Sequence, residues 1–197
     1  MTNNTPLNIK VIAGSTRQGR FSDRPGAWIL AETKTQEGVN AELLDLRDYP
    51  LPFFDEPMSP AMVKDGEYPN AIARKWGDKI READAFIVVT PEYNHGPSAI
   101  LKNALDYIYA EWNNKPVGFV SYGGVSGARA VEQLRLVAIE LQMAPIRNAV
   151  HIAGGPWNLL DENGVLKEGA FAPFQKSAEG MLNQLLWWAK TLKAARE

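Results

Sequence analysis

Short apolar runs alternate with stretches of helical periodicity along almost the whole chain, and this excludes most architectures at once. Runs at 9–13, 39–46, 84–90, 117–121 and 146–152 have the length and apolar content of buried strands. Between them the apolar residues fall at helical spacing, as with Ile72, Trp76 and Ile80 at i, i+4 and i+8. Helices are predicted from Ser22 or Asp23, which act as the N-cap ahead of Pro25, to Gly38. Others are predicted over 71–82, 98–110, 128–143 and about 174–195, with Pro145 as a stop. Strands separated by helices pair in parallel through right-handed crossovers. The pattern therefore predicts an α/β fold, a doubly wound five-stranded parallel sheet with helices on both faces. No repeat, linker or compositional break divides the 197 residues, so a single domain over 1–197 is expected.

Composition narrows the function classes. A net charge of −2 lacks the basic excess of a general nucleic-acid binder. With no cysteine there is no disulfide framework, no thiolate nucleophile and no Cys-ligated metal. The two histidines, His95 and His151, have no metal-ligand spacing around them, and no metal site is expected. No apolar run approaches the roughly 20 residues that span a bilayer, and residues 1–8 lack a signal-peptide pattern. A cytoplasmic protein without membrane contact is the expectation. The least regular segment, 47–70, contains Pro50, Pro52, Pro57, Pro60 and Pro69. Such a segment is a functional loop, a wrap over a neighbouring surface, or a proline-pinned surface excursion.

In open parallel sheets, ligands bind beyond the carboxyl ends of the strands. Three loops occupy such positions. The first, Gly14-Ser15-Thr16-Arg17-Gln18-Gly19-Arg20-Phe21-Ser22, offers backbone N–H groups, hydroxyls and two guanidinium groups. These suit a phosphate at a helix start, and equally a capped strand-to-helix turn. It is neither a Walker A sequence nor Gly-x-Gly-x-x-Gly. The second, Pro91-Glu92-Tyr93-Asn94-His95-Gly96-Pro97, is stiffened by its prolines and suits main-chain contact with the edge of a flat heterocycle. His95 reads more readily as a capping or surface residue than as a catalytic one. The third, Ser121-Tyr122-Gly123-Gly124-Val125-Ser126-Gly127, exposes successive amides toward any negative charge on a bound ring. No nucleophile elbow or Ser-His-Asp order accompanies it, and no catalytic side chain is assigned.

Gly14-Ser15-Thr16-Arg17, Pro91-Glu92-Tyr93-Asn94 with Ser98-Ala99-Ile100-Leu101-Lys102-Asn103-Ala104-Leu105-Asp106, and Tyr122-Gly123-Gly124 together resemble the NADPH-dependent FMN reductase family. These are flavodoxin-like flavoproteins that include azo-dye and quinone reductases, and the similarity runs from about residue 9 to 152. The resemblance implies strand order 2-1-3-4-5, with FMN at the β1/β3 switch point. It places the FMN phosphate on Ser15, Arg17 and Ser22. Arg20 is carried over as a cofactor-binding residue beside them, although it stands where the family commonly has a small hydroxyl residue. It further implies that Pro91, Glu92, Tyr93 and Asn94 meet the isoalloxazine edge and that Tyr122, Gly123 and Gly124 bind its pyrimidine side.

The activity implied is hydride transfer from NADPH or NADH to bound FMN. A small-molecule electron acceptor (a quinone, azo compound or free flavin) then follows in ping-pong turnover. A flavodoxin-type electron carrier and a non-catalytic flavin-binding redox sensor compete with this reading. Related proteins form dimers or tetramers, and Tyr109, Trp112, Trp157, Trp187 and Trp188 are read as aromatic surface for a homodimer or homotetramer.

Overall fold

A computed structural model describes residues 5–197. The elements run β1 (Leu7–Ala13), α1 (Asp23–Lys34), β2 (Val39–Asp45), α2 (Ala71–Arg81), β3 (Ala85–Pro91), α3 (Ala99–Asp106), β4 (Pro116–Tyr122), α4 (Ala128–Glu140), β5 (Ala144–Ile152) and α5 (Gln175–Arg196). All strand pairs are parallel, and the sheet order is β2-β1-β3-β4-β5. The chain steps outward from β1 to β2, then crosses back to β3 and continues to β5. The carboxyl ends of β1 and β3 therefore flank the switch point of a flavodoxin-like sheet.

The core follows from the period-two geometry of β3, whose seven residues are all buried. Phe86 and Val88 face α2, α3 and α4, joining Trp76, Ile80, Leu101 and Val131. Ile87 and Val89 face α1 and α5, joining Ile29, Met181 and Leu185. Each large apolar side chain buried this fully contributes about 1.5–3 kcal/mol. The central strand thus holds both layers, and the site stands at the carboxyl end of this fully buried strand.

Several predicted boundaries shift. α3 ends at Asp106 rather than 110, and Trp112, expected at the surface, is fully buried edge-on to Phe86 with ring centroids 4.8 Å apart. α4 ends at Glu140, because Gln142 turns the chain through a left-handed conformation with φ 54°. β5 begins two residues before the predicted start and takes in Pro145, paired with Val117. A proline is tolerated there because β5 is an edge strand. Trp187, by contrast, is exposed on α5, with the half-buried Trp188 edge-on beside it at 5.3 Å.

The proline-rich excursion is pinned rather than loose. Asn103 donates to the Pro52 carbonyl at 2.7 Å and accepts from the Phe54 amide at 2.9 Å. The Tyr68 hydroxyl donates to Glu111 at 2.6 Å, and Arg81 pairs with the same carboxylate. Phe53, Met58 and Met62 remain largely exposed on its outer side. Among the described residues, no helix is long and apolar enough to cross a membrane.

Candidate functional site

The three loops meet at the carboxyl edge of the sheet, and their backbones are stitched together. The Gly14 amide donates to the Val89 carbonyl at 2.8 Å, and a Cβ on Gly14 would stand 2.8 Å from that same oxygen. Glycine is needed here for close approach of the backbones. Ser98 caps α3 through its Oγ, which accepts from the Leu101 amide and donates to the Gly14 carbonyl at 2.5 Å. The start of the first loop is thereby tied to the helix that follows the second.

In the first loop the two arginines part company. Arg20 is 2 % exposed, and its guanidinium is spent on Asp45, Asp23 and the Ser15 carbonyl. Burial alone would lower its pKa, but the two carboxylates outweigh that and raise it. The same pairing overcomes burial at Asp45 and holds its carboxyl well below the usual range. A side chain expected to face a ligand is instead a buried strut, because two acids lie within its reach. Arg17 is exposed and has no carboxylate partner among the described residues. Ser22 occupies the N-cap position of α1, yet its side chain makes no capping bond. Its Oγ is buried without a partner among the described residues.

The second loop is a tight hairpin. The Tyr93 and Gly96 amides and carbonyls exchange hydrogen bonds at 2.9 and 3.1 Å, and Asn94 and His95 both have positive φ, 49° and 76°. That is the backbone of a type I′ turn, with Asn in a favoured first place. The Tyr93 hydroxyl lies 3.1 Å from Ser15 Oγ, which joins this turn to the first loop. His95 is exposed at the turn, and its carbonyl accepts from Gln133 at 2.6 Å. Glu92 turns its carboxylate away from the turn. The carboxylate accepts from the Arg129 amide at 3.1 Å and Nε at 2.6 Å, across the start of α4. Burial would raise the Glu92 pKa, but Arg129 keeps it below the usual carboxylate range.

The third loop begins with Tyr122, which is buried edge-on against Phe21 with centroids 5.1 Å apart. Burial pushes its phenol up, so it stays neutral. The Glu92 amide donates to the Tyr122 carbonyl at 3.1 Å, closing the second loop on the third. Gly127 has φ 73°, and a Cβ there would meet Ser121 Cβ at 2.7 Å and the Tyr122 nitrogen at 2.8 Å. Gly124 has nothing within 4 Å of its would-be Cβ and faces open space.

Arg17, Pro91, Glu92, Tyr93, Tyr122, Gly123 and Gly124 line one cleft of about 250 Å³. Ser15 and Asn94 adjoin it without lining it, and Arg20 and Ser22 are buried behind the first loop. Phe21, Pro156 and Trp157 complete the lining. Phe21 belongs to the first loop, whereas the sequence pattern alone did not place Pro156 and Trp157 at the site. The available signal was position, since the Gly154-Gly155-Pro156-Trp157 turn leaves β5 at the same edge of the sheet. Among the described residues, no three His, Asp or Glu converge as metal ligands.

The sequence matches the profile of the family described as NADPH-dependent FMN reductase over residues 7–156. The chain belongs to that family. It is an oxidoreductase of the kind that uses FMN with NAD(P)H as donor. It is 43% identical over 144 residues to an NAD(P)H-dependent FMN reductase of Schizosaccharomyces pombe, covering 72% of each chain. A quinone reductase of Pseudomonas putida is 27% identical over 194 residues, with 95% of this chain and 97% of that one covered. Among solved structures, the flavoenzyme NAD(P)H:acceptor oxidoreductase FerB of Paracoccus denitrificans superposes with a TM-score of 0.67. It covers 91% of this chain and 97% of its own at 19% identity, a likeness of fold. An azoreductase of Bacillus anthracis shares the fold at a TM-score of 0.53 and 16% identity, over 94% of this chain and 98% of its own.

Proposed function

We propose that this FMN reductase family member holds FMN in the three-loop cleft and passes electrons from NAD(P)H to a quinone. Azo compounds and free flavin are further acceptors in the same ping-pong turnover. The observation that carries the reading is the convergence, at the β1/β3 switch point, of an Arg17 without a carboxylate partner among the described residues, a hydrogen-bonded I′ turn and the Gly123-Gly124 backbone in one cleft.

The residues fit the cofactor. The exposed Arg17 guanidinium, the first-loop amides and the hydroxyls of Ser15 and Ser22 suit a phosphate at the start of α1. Pro91, Glu92, Tyr93 and Asn94 would hold the ring edge through backbone groups other than the Glu92 and Tyr93 amides, which are bonded to Tyr122 and Gly96. Tyr122, Gly123 and Gly124 would hold its pyrimidine side, where preorganised amides would stabilise negative charge. Arg20 holds the first loop in place through Asp23 and Asp45. When bound, FMN supplies the hydride-accepting chemistry, and the chain supplies placement, charge and exclusion of water. Trp157 and Pro156 line the same cleft as the first, second and third loops, and this single cleft supports donor and acceptor alternating at one site. No side chain is assigned as a general acid or base.

Exposed Leu136 and Ile139, three residues apart on α4, and the outer residues of the excursion support a homodimer or homotetramer. A cytoplasmic setting, where NAD(P)H is supplied, accords with this activity. The test is anaerobic addition of NADPH to protein loaded with FMN. Prompt bleaching of the flavin band, followed by recolouring with a quinone, is the expected result. Bound FMN that NADPH leaves oxidised contradicts the reductase reading and favours a carrier or sensor.

A further inference from the structure

His151 stands next to last in β5, outside the cleft lining, and the proposed chemistry gives it no task. Its Nδ1 lies 2.8 Å from the Oγ of Ser121, a fully buried residue at the base of the third loop. The same Oγ lies 2.8 Å from the Ser126 carbonyl oxygen. A carbonyl only accepts, so the single proton of the Ser121 hydroxyl is committed to Ser126. The remaining bond then requires a hydrogen on Nδ1, donated to Ser121 Oγ. This arrangement selects a hydrogen on Nδ1. His151 keeps an exposed edge, but desolvation followed by the nearby Arg135 charge outweighs its hydrogen bond to the Ser126 carbonyl and lowers its pKa. The ring is therefore the neutral Nδ1–H tautomer.

The relay ends on the least relaxed part of the third loop. Ser126 has φ 62° and Gly127 φ 73°, two successive left-handed residues, the first of them not a glycine. The Ser126 amide closes the turn by donating to the Gly123 carbonyl at 3.0 Å. A bond to the Ser126 carbonyl therefore holds the turn that presents Gly123 and Gly124 to the cleft. From this geometry we infer that His151 is a positioning residue, which through Ser121 locks the turn whose amides face the flavin's pyrimidine side. The inference rests on the flavin reading above. Without the imidazole, the Ser121 proton is free to rotate off Ser126, and the turn gains alternatives.

The test compares wild type, His151→Ala and His151→Asn, each loaded with FMN, by midpoint potential and thermal melting. An Asn amide nitrogen can donate from near the position of Nδ1. His151→Ala is expected to weaken binding of reduced relative to oxidised FMN about tenfold, which is about 30 mV more negative for a two-electron couple. His151→Asn is expected to restore most of that shift, with melting temperatures alike in all three. An unmoved midpoint in His151→Ala, or an equal shift in both variants, overturns the relay while leaving the flavin site standing. Wild type that binds no FMN overturns both. Nitrogen chemical shifts of the two histidines give an independent check that needs no variant. An Nδ1–H tautomer is expected at His151, and an Nε2–H tautomer overturns the assignment.

Discussion

The first and third loops leave the same sheet edge and face the same cleft, yet they are held by different physics. The first is braced by charge, with Arg20 clamped between Asp23 and Asp45. The third contains no charged residue between Ser121 and Gly127 and is held by backbone geometry and a hydroxyl relay. Buried ionic bracing costs desolvation and is repaid only when every partner is present. Glycine geometry costs chain entropy and tolerates no side chain. The first loop should therefore fail through loss of a charge, and the third through gain of an atom.

The largest effect expected from that difference belongs to Arg20→Met. Removing a buried guanidinium leaves Asp45 and Asp23 only the exposed Arg47 as a partner, at a cost of about 3 kcal/mol in denaturant unfolding. A loss under about 1 kcal/mol would show that the first loop is not braced by charge. Gly127→Ala comes next. The added Cβ must occupy a left-handed backbone against Ser121 and Tyr122, a strain on the order of 1–3 kcal/mol, and retained flavin should fall with it. Gly124→Ala, in the same loop, is expected to change unfolding by no more than about 0.5 kcal/mol, since its Cβ meets nothing. Equal costs at the two glycines would break the geometric account.

Acid should sharpen the same contrast at the second loop. Glu92 has a folded pKa below its unfolded one, so its pairing with Arg129 contributes stability above the ordinary carboxylate range. That contribution is lost as pH falls through the depressed folded pKa. Stability measured from pH 7 downward should therefore decline less steeply in Glu92→Gln than in wild type. Parallel curves would contradict the assignment.

The layout was legible because periodicity reports directly on burial. The strands, helices and three carboxyl-end loops all follow from where Ile, Val, Leu and Trp fall. What stayed hidden depends on contacts distant in sequence. Two arginines in one loop look alike until Asp45, 25 positions beyond Arg20, is brought beside one of them. That the Glu92 carboxylate turns away from the cleft shows only once Arg129, 37 positions on, takes it, leaving the residue's backbone at the cleft. Trp112 reads as surface because the pattern lapses after α3, yet packing against Trp76 and Phe86 buries it. Trp157 sits in an irregular turn with no period to place it, and only the sheet edge brings it to the cleft.

Of the two first-loop arginines, Arg17 is the one without a carboxylate partner among the described residues, and so the one open to a phosphate. Titrating wild type and Arg17→Ala with FMN and with riboflavin, following quenching of flavin fluorescence, tests that assignment. Loss of a charged hydrogen-bonding partner worth about 1.5–3 kcal/mol corresponds to roughly 10- to 150-fold weaker FMN binding. Riboflavin, which lacks the phosphate, should bind both proteins alike, so the preference of wild type for FMN should collapse in the variant. An Arg17→Ala protein that folds normally and keeps the wild-type preference would contradict the account.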